Sequence, residues 1–507
     1  MPLVSLLKHL NHNERSNLMS AMQSKHSVVS LFSGAGGFDW GFHKTGRFET
    51  LLASEILPRP AATFARNFNC QIIDIKDLVR YEEIPRRTVI EGDICKVDFT
   101  HFKLTPDVLI GGPPCQDFSM AISVPGDLRP GLNGGRGKLY IEFVRAAMFF
   151  QPKIVVFENV PGLKSANLGL AYKTIKDDLR KLEASRQAAL AADPASNRVP
   201  QEPVTGYTLI FSDDVEVQRM GVPQTRKRLI IVGVRQDIYD QLSTSGITEP
   251  IAKLQRTLKG TNSPFTKFPL TCLEAFEGST LLELEAKYQE IMAAYSDLAD
   301  RNDLPIVHKW REDTWDRLTR INIRADYFAL NEIEDTLANQ NEYAVAMKAH
   351  KELLTELGWW GNSVATQDLT NLTMSEVKVS KEVIDRMRMI PPGENHEFVA
   401  GTEWNVEGKE ISLIYRRPHP LRPAWTVMAH GGGGTYGYHY ERERSMLTLR
   451  ERARIQTFTD DFSFATHGIR EQIGEAVPPL LGKRIAEIID ELLVAWSKVN
   501  DLKLTQI

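Results

Sequence analysis

Cys115 is the residue of this chain best placed to do chemistry. It sits in Gly111-Gly112-Pro113-Pro114-Cys115-Gln116-Asp117-Phe118-Ser119, directly after the apolar run Val108-Leu109-Ile110. That run reads as a short buried strand ended by a Gly-Gly/Pro-Pro breaker. The thiol therefore lies on a stiff loop at the carboxyl end of a strand, the edge where open α/β sheets place ligands and reactions. As a thiolate it would be a strong nucleophile, although a free thiol, with a pKa of about 8.5, needs a polar or basic neighbourhood to ionise. A lone cysteine beside proline is more often an inert small hydrophobe. The other chemistry-bearing groups follow other strands. Glu158, in Phe157-Glu158-Asn159-Val160, ends the run Ile154-Val155-Val156. It reads as a helix cap or surface acid, or as a carboxyl of raised pKa that can donate a proton. In Gln224-Thr225-Arg226-Lys227-Arg228, an extended backbone would send Gln224, Arg226 and Arg228 to one face and Lys227 to the other. That face is either a solvated strand end or a set of planar guanidinium forks for a carbonyl or phosphate.

A second constellation reads as a cofactor pocket. Val28-Val29-Ser30-Leu31-Phe32-Ser33-Gly34-Ala35-Gly36-Gly37-Phe38 is a strand, a glycine-rich turn and the start of a helix. Glycine lets the backbone approach a bound molecule closely. Glu55 follows about twenty residues on, at the end of the next strand, where an acid can hold ribose hydroxyls. Asp93, beside Ile94, ends a third element and could accept from an adenine amino group. The dinucleotide spacing GxGxxG is missing, and nothing here demands a phosphate or a metal.

These groups need elements to position them. From Ser27 to about Val234, apolar strands and helices alternate, the signature of a mostly parallel sheet. Strands are expected at 28–32, 50–54, 108–110, 154–157 and 229–233. A helix and a surface loop are expected between 165 and 206. Leu281, Leu284, Tyr288, Ile291, Tyr295 and Leu298 recur at three- and four-residue spacing and predict one long amphipathic helix. The region to about Glu410 is largely helical. Pro478-Pro479 opens a last amphipathic helix through about Trp496.

With 507 residues, the chain has room for roughly three domains of about 150 residues each. Four dispersed cysteines, Cys70, Cys95, Cys115 and Cys272, disfavour a disulfide framework or zinc site and fit a reducing, cytoplasmic compartment. No apolar run reaches the roughly 18 residues of a membrane span, so no membrane partner is expected. A net charge of −4 means that any nucleic-acid partner must meet a local basic face.

The Cys115 nonapeptide resembles the nucleophile loop of the DNA cytosine-C5 methyltransferases. Further segments match that family in its order: Phe-x-Gly-x-Gly-Gly from Phe32, Phe157-Glu158-Asn159-Val160, Gln224-x-Arg226-x-Arg228, Leu447–Glu451, Ile455–Phe462, and Gly474-Glu475-Ala476-Val477-Pro478-Pro479. The resemblance covers about 27–235 and 415–490. It implies a Rossmann-like α/β fold that binds S-adenosyl-L-methionine, with a smaller, largely helical target-recognition domain. It assigns catalysis to Cys115, Glu158, Arg226 and Arg228. It assigns cofactor binding to Phe32, Gly34, Gly36, Gly37, Glu55, Asp93, Ile94, Pro114, Glu475 and Val477. Gln116, Ser119 and Gln224 would touch the base. The implied layout is an extension over 1–26, a catalytic part over 27–235, target recognition over 236–410, and a segment over 411–507 whose last helix returns to the first glycine turn.

The implied reaction is methylation of C5 of cytosine in duplex DNA by a monomer, as in bacterial restriction-modification methylases. One implied partner is a cognate restriction endonuclease acting on the same site without stable complex; a phage-borne or solitary methylase fits the chain equally well. Two rivals are an RNA cytosine methyltransferase, disfavoured by the long recognition segment and by Ser119, and a silent DNA-binding homologue, disfavoured by the intact Cys115 and Glu158. Arg129 and Arg136 lie in a glycine-rich stretch similar to the family's closing loop. Arg317, Arg320 and Arg324, near Trp310 and Trp315, read either as a face for DNA phosphates and bases or as a solvated helix face with buried tryptophans; contacts to the DNA backbone are looked for preferentially at Arg416, Arg417, Arg422 and Gly431–Gly434. Two positions depart from the family pattern: Glu475 stands for the usual Asn and Trp425 for a common Pro.

Overall fold

The computed structural model describes residues 25–81, 83–114, 139–366, 379–406, 414–429, 437–444, 446–465 and 467–504. Its strands are β1 (His26–Leu31), β2 (Phe48–Glu55), β3 (Gln71–Asp74), β4 (Thr88–Glu91), β5 (Val108–Gly111), β6 (Ile154–Asn159), β7 (Tyr207–Glu216), β8 (Gln224–Thr225), β9 (Lys227–Arg235) and β10 (Ala424–Trp425). Eight of them form one sheet in the order β3–β4–β2–β1–β5–β6–β9–β7, and β8 pairs with β10 outside it. Strand β9 runs antiparallel to both β6 and β7, and the other neighbours are parallel.

Period-two alternation explains why the strands look continuously apolar in sequence. Val28, Val108, Ile110, Ile154, Val156, Ile230 and Val232 enter one core. Val29, Leu31, Leu109, Val155, Phe157, Leu229 and Ile231 enter the other. Helices α1 (Gly37–Lys44) and α2 (Pro58–Phe68) lie on the first side. Helices α3 (Leu139–Phe150), α4 (Leu170–Arg180) and α5 (Leu182–Ala192) cover the second. The 165–206 stretch thus carries two helices rather than one.

After β9, α6 (Gln236–Thr244) and α7 (Glu249–Lys259) stay on the sheet: Gln255 Nε2 donates to the Ile210 carbonyl at 3.0 Å. Beyond them come α8 (Cys272–Glu277), α9 (Glu285–Ala293), α10 (Ile323–Leu330), α11 (Leu337–Glu356) and α12 (Lys381–Arg388). The chain closes with α13 (Leu449–Ile455), α14 (Ile469–Glu475) and α15 (Pro479–Leu504).

The single helix expected over 281–298 is instead a 3₁₀ turn (Leu281–Glu283), α9 and a second 3₁₀ turn (Ser296–Asp300). All six spaced residues are buried nonetheless. The spacing reports which side chains face the core, not an unbroken hydrogen-bond ladder. Tyr288 donates to Asp326 at 2.8 Å and Tyr295 to the Tyr440 carbonyl at 2.8 Å, tethers that hold successive turns against different neighbours.

The last helix packs against α1, the helix that follows the first glycine turn. At the crossing of α15 and α1, a methyl on Gly41 would stand 2.2 Å from the Pro479 carbonyl oxygen. Only glycine permits that approach.

Candidate active site

The carboxyl ends of β1, β2, β4, β5 and β6 carry the groups singled out in sequence. Leaving β1, Phe32 turns into the left-handed region (φ 53) and opens the glycine loop. The Gly34 N–H donates to Glu55 Oε2 at 2.8 Å, and the Leu57 N–H to Glu55 Oε1 at 2.9 Å. Burial raises the Glu55 carboxyl above its ordinary pKa; these backbone donors pull it down and nearby Glu475 pushes it further up. Asp93 caps the turn after β4 and accepts from the Cys95 N–H at 3.0 Å. Ile94 is buried, and its carbonyl accepts from Arg145 at 3.0 Å. Pro114 is exposed at the end of the β5 loop.

Glu475 and Val477 arrive from the far end of the chain. A methyl on Gly37 would lie 2.6 Å from the Val477 carbonyl oxygen, so this glycine lets the two ends of the chain share one wall. A backbone cradle over a held carboxylate fits a nucleoside-type cofactor with hydroxyls to donate.

The reactive side of the edge is built on β6 and β9. Glu158 is 8% exposed. Arg228 Nε stands 2.9 Å from Glu158 Oε1 across the antiparallel pair. Burial raises the Glu158 pKa, and Arg228 and then Arg226 only partly reverse this. A methyl on Gly112 would come within 2.7 Å of Glu158 Oε2, so the carboxylate lies against the backbone that leads to residue 115. Cys115, Gln116, Phe118 and Ser119 themselves lie outside the described residues, as do Arg129, Arg136 and Gly431–Gly434.

The one-face expectation for Gln224, Arg226 and Arg228 does not hold. Arg228 reaches Glu158, but Arg226 is 2% exposed and donates to the carbonyls of Gly474 (3.1 Å), Ala476 (3.2 Å) and Val427 (3.4 Å). Gln224 is fully buried, donating to the Ile455 carbonyl at 3.0 Å and to Gln456, and accepting from the Val427 N–H at 3.3 Å. The reason is that β8 leaves the main sheet and pairs with β10, so its side chains meet the C-terminal segment rather than solvent. Gln224 and Arg226 therefore tie the strand leading to Arg228 to the wall that carries Glu475 and Val477.

Two residues with a clear structural part carried no expectation. Asn159 Nδ2 donates to the Pro113 carbonyl at 2.9 Å, while its Oδ1 accepts from the Val160 N–H. It pins the loop two residues before Cys115. The signal was a buried-strand amide directly after the acid. Gln456 bridges Gln224 to the Ala476 carbonyl, a link no local pattern announces.

Most of the basic residues sought as DNA contacts are occupied. Trp310 and Trp315 are buried. Arg317 bonds the Ala329 carbonyl, Arg320 the Leu318 carbonyl, and Arg324 pairs with Asp335. Arg417 is fully buried on the carbonyls of Ile390, Met387 and Glu441, and Arg422 bonds that of Leu330. These guanidiniums brace the fold. Arg416 differs, and is half-buried beside Trp425.

The sheet order, the single antiparallel strand β9 and the loaded carboxyl edge define a Rossmann-like methyltransferase. Residues 26–192 and 205–491 match the family described as C-5 cytosine-specific DNA methylase, and the chain belongs to that family. It is 46% identical over 475 residues, covering 93% of this chain and 100% of the relative, to the DNA (cytosine-5-)-methyltransferase M.ApeKI of Aeropyrum pernix. It is 27% identical to the type II methyltransferase M.NgoFVII of Neisseria gonorrhoeae, covering 95% of this chain and 90% of that one. To the type II methyltransferase M.BbvI of Brevibacillus brevis it is 28% identical, covering 76% and 69%. The protein is a DNA cytosine-C5 methyltransferase.

Proposed function

We propose that this enzyme methylates C5 of one cytosine within a short, specific sequence of duplex DNA, through a covalent Cys115–C6 adduct with the base flipped out. The observation that carries the reading is the convergence of Glu158, Arg228 and Gly112, which brings a buried carboxylate and a guanidinium against the backbone three residues before Cys115.

Extruding the base costs a few kcal/mol, which contacts in the pocket must offset. Cytosine C5 is too electron-poor to attack a methyl sulfonium directly. The Cys115 thiolate adds at C6 and makes C5 an enamine carbon. The charge that addition places on the ring is relieved at N3 by the Glu158 carboxyl, whose pKa burial raises. Arg228 orients that carboxyl and holds the base. S-adenosyl-L-methionine, when bound, supplies the electrophilic methyl group. Glu55 would accept from its ribose hydroxyls, Asp93 from its adenine amino group, and the 32–37 turn with Glu475 and Val477 would wall in the rest. Loss of the C5 proton to a bound water then lets Cys115 leave. Gln116 and Ser119 would line the base pocket, with Pro114 at the cofactor boundary.

The catalytic part comprises about 27–235 with α6, α7 and α15, and target recognition falls to the helical segment after Lys259, up to about 410. The enzyme acts as a monomer in the cytoplasm, as the modification partner of a restriction endonuclease that cuts the same sequence; the type II relatives support this role.

A duplex carrying 5-fluorocytosine tests the adduct. Fluorine cannot leave as the proton does, so wild-type protein with cofactor should become covalently joined to the duplex, and Cys115→Ser should not. Trapping by the serine variant, or on an RNA duplex alone, would overturn the reading.

A further inference from the structure

Two cavities flank the Trp425 indole, where β8 and β10 meet the helical module. One, of about 410 Å³, is bordered by Arg416, Trp425, Met428, Leu447, Val427 and Thr225. The other, of about 360 Å³, shares Thr225, Pro418 and Trp425 and is bordered by His419, Asn331 and Glu332. In the first cavity the Arg416 guanidinium lies over the Trp425 ring, 4.9 Å from its centroid. Its immediate neighbour Arg417 spends every nitrogen on backbone carbonyls. The Arg416 carbonyl accepts from the Tyr438 N–H at 3.2 Å, but its guanidinium makes no hydrogen bond or ion pair to any described residue. Met428 beside it is 45% exposed. Across the indole, His419 is buried, takes the Leu421 N–H on Nδ1, and leaves Nε2 without a partner among the described residues.

A half-buried guanidinium, stacked on an aromatic plane and unspent, is unusual in a region where the other arginines serve as braces. Stacking fixes the plane of its fork and lowers the entropy lost when both donors bind at once. Apart from Arg416, Thr225, Thr426 and Arg452, which donates to the Met428 carbonyl at 2.7 Å, the walls are mostly apolar, with Trp425, Val427, Met428 and Leu447 among them. A phosphate would give up its hydration there for little, whereas a flat base edge with two adjacent acceptors suits both the fork and the walls. Among the bases, that edge is guanine O6/N7. We propose that Arg416, held on Trp425, reads a guanine of the target sequence. Trp425 is then a positioning residue, holding the plane of the Arg416 fork. The inference rests on the function proposed above, methylation within one specific sequence of duplex DNA.

The test is base-resolution methylation of a randomised duplex library by wild-type protein, Arg416→Gln, Arg416→Lys, Trp425→Phe and Trp425→Ala, with kcat and KM on the best duplex and thermal midpoints of each. Arg416→Gln should lose guanine preference at one position, with kcat/KM on the cognate duplex falling about 10- to 100-fold and the other positions unchanged. Trp425→Ala should relax the same position, and Trp425→Phe should preserve it. Arg416→Lys should weaken it, since an ammonium cannot form the fork. If Arg416→Gln weakens methylation of all sequences equally with the motif intact, Arg416 is a phosphate contact and the proposal falls. It falls equally if nothing changes. A wild-type protein that methylates no duplex would instead overturn the function proposed above.

Discussion

The carboxyl edge of the sheet and the helical module treat buried charge in opposite ways. In the module, the buried carboxylates Asp326 and Glu274 are answered by several hydrogen bonds each. Asp326 accepts from Tyr288 and from Thr319 and Arg320, and Glu274 closes a capping box while meeting His350 Nδ1 at 2.8 Å. His350 Nε2 meets the Phe268 carbonyl at 2.9 Å, and neither partner of this pair is exposed. At the sheet edge, Glu158 and Glu55 are buried but incompletely compensated, and both carboxyls are raised. Satisfied networks make a rigid core, whereas uncompensated carboxyls are groups with chemistry left to do. The same contrast recurs among the arginines, between the braced Arg417 and the open Arg416.

That contrast can be broken from either side. The largest effect on activity belongs to Glu158→Gln, which should lower kcat by about 100- to 10,000-fold while the protein stays folded, measured by methyl transfer and by calorimetry. Because the folded pKa of Glu158 is raised, the folded state holds this proton more tightly than the unfolded chain. Its contribution to stability is therefore present below the unfolded carboxylate pKa and is lost as pH rises through the raised value. Stability of the Gln variant should be flatter with pH across that window, and wild-type activity should fall on the alkaline side of it.

Next comes the module. Glu274→Ala strands His350 in the core and should cost about 3–5 kcal/mol in denaturant unfolding, with kcat of the folded fraction unchanged. A fall in kcat without loss of stability would erase the distinction between the regions. Gly112→Ala should displace the Glu158 carboxylate and lower kcat about 100-fold. The smallest effect is Asn159→Ala, which removes the bond to the Pro113 carbonyl and should cost about 1 kcal/mol of stability. Because that bond tethers the nucleophile loop, kcat should fall more than stability does.

How much was legible in the sequence follows the same divide. Strands β1, β2, β5, β6 and β9 stand out because burial on both faces makes them solid apolar runs. Strand β3 was not found: Gln71-Ile72-Ile73-Asp74 is a four-residue edge with little to bury. Strand β7 was missed too, since Ser212-Asp213-Asp214 interrupts its apolar pattern. Glu55, Glu158 and Arg228 could be placed because each closes or opens a readable strand. The roles of Gln224 and Arg226 could not, because their partners lie more than 200 residues away in Ile455, Gln456, Val427 and Gly474. Periodicity within β8 cannot report that β10 covers it.

The proposal that this edge makes 5-methylcytosine in DNA at one sequence, through Cys115, is decided by the product itself. Base-resolution methylation sequencing of DNA from cells expressing the chain, beside a Cys115→Ser control, tests it most directly. C5 methylation should be confined to one short motif and absent from the control. Unmethylated DNA in the presence of folded, cofactor-binding protein, or methylation that survives in the control, would contradict it.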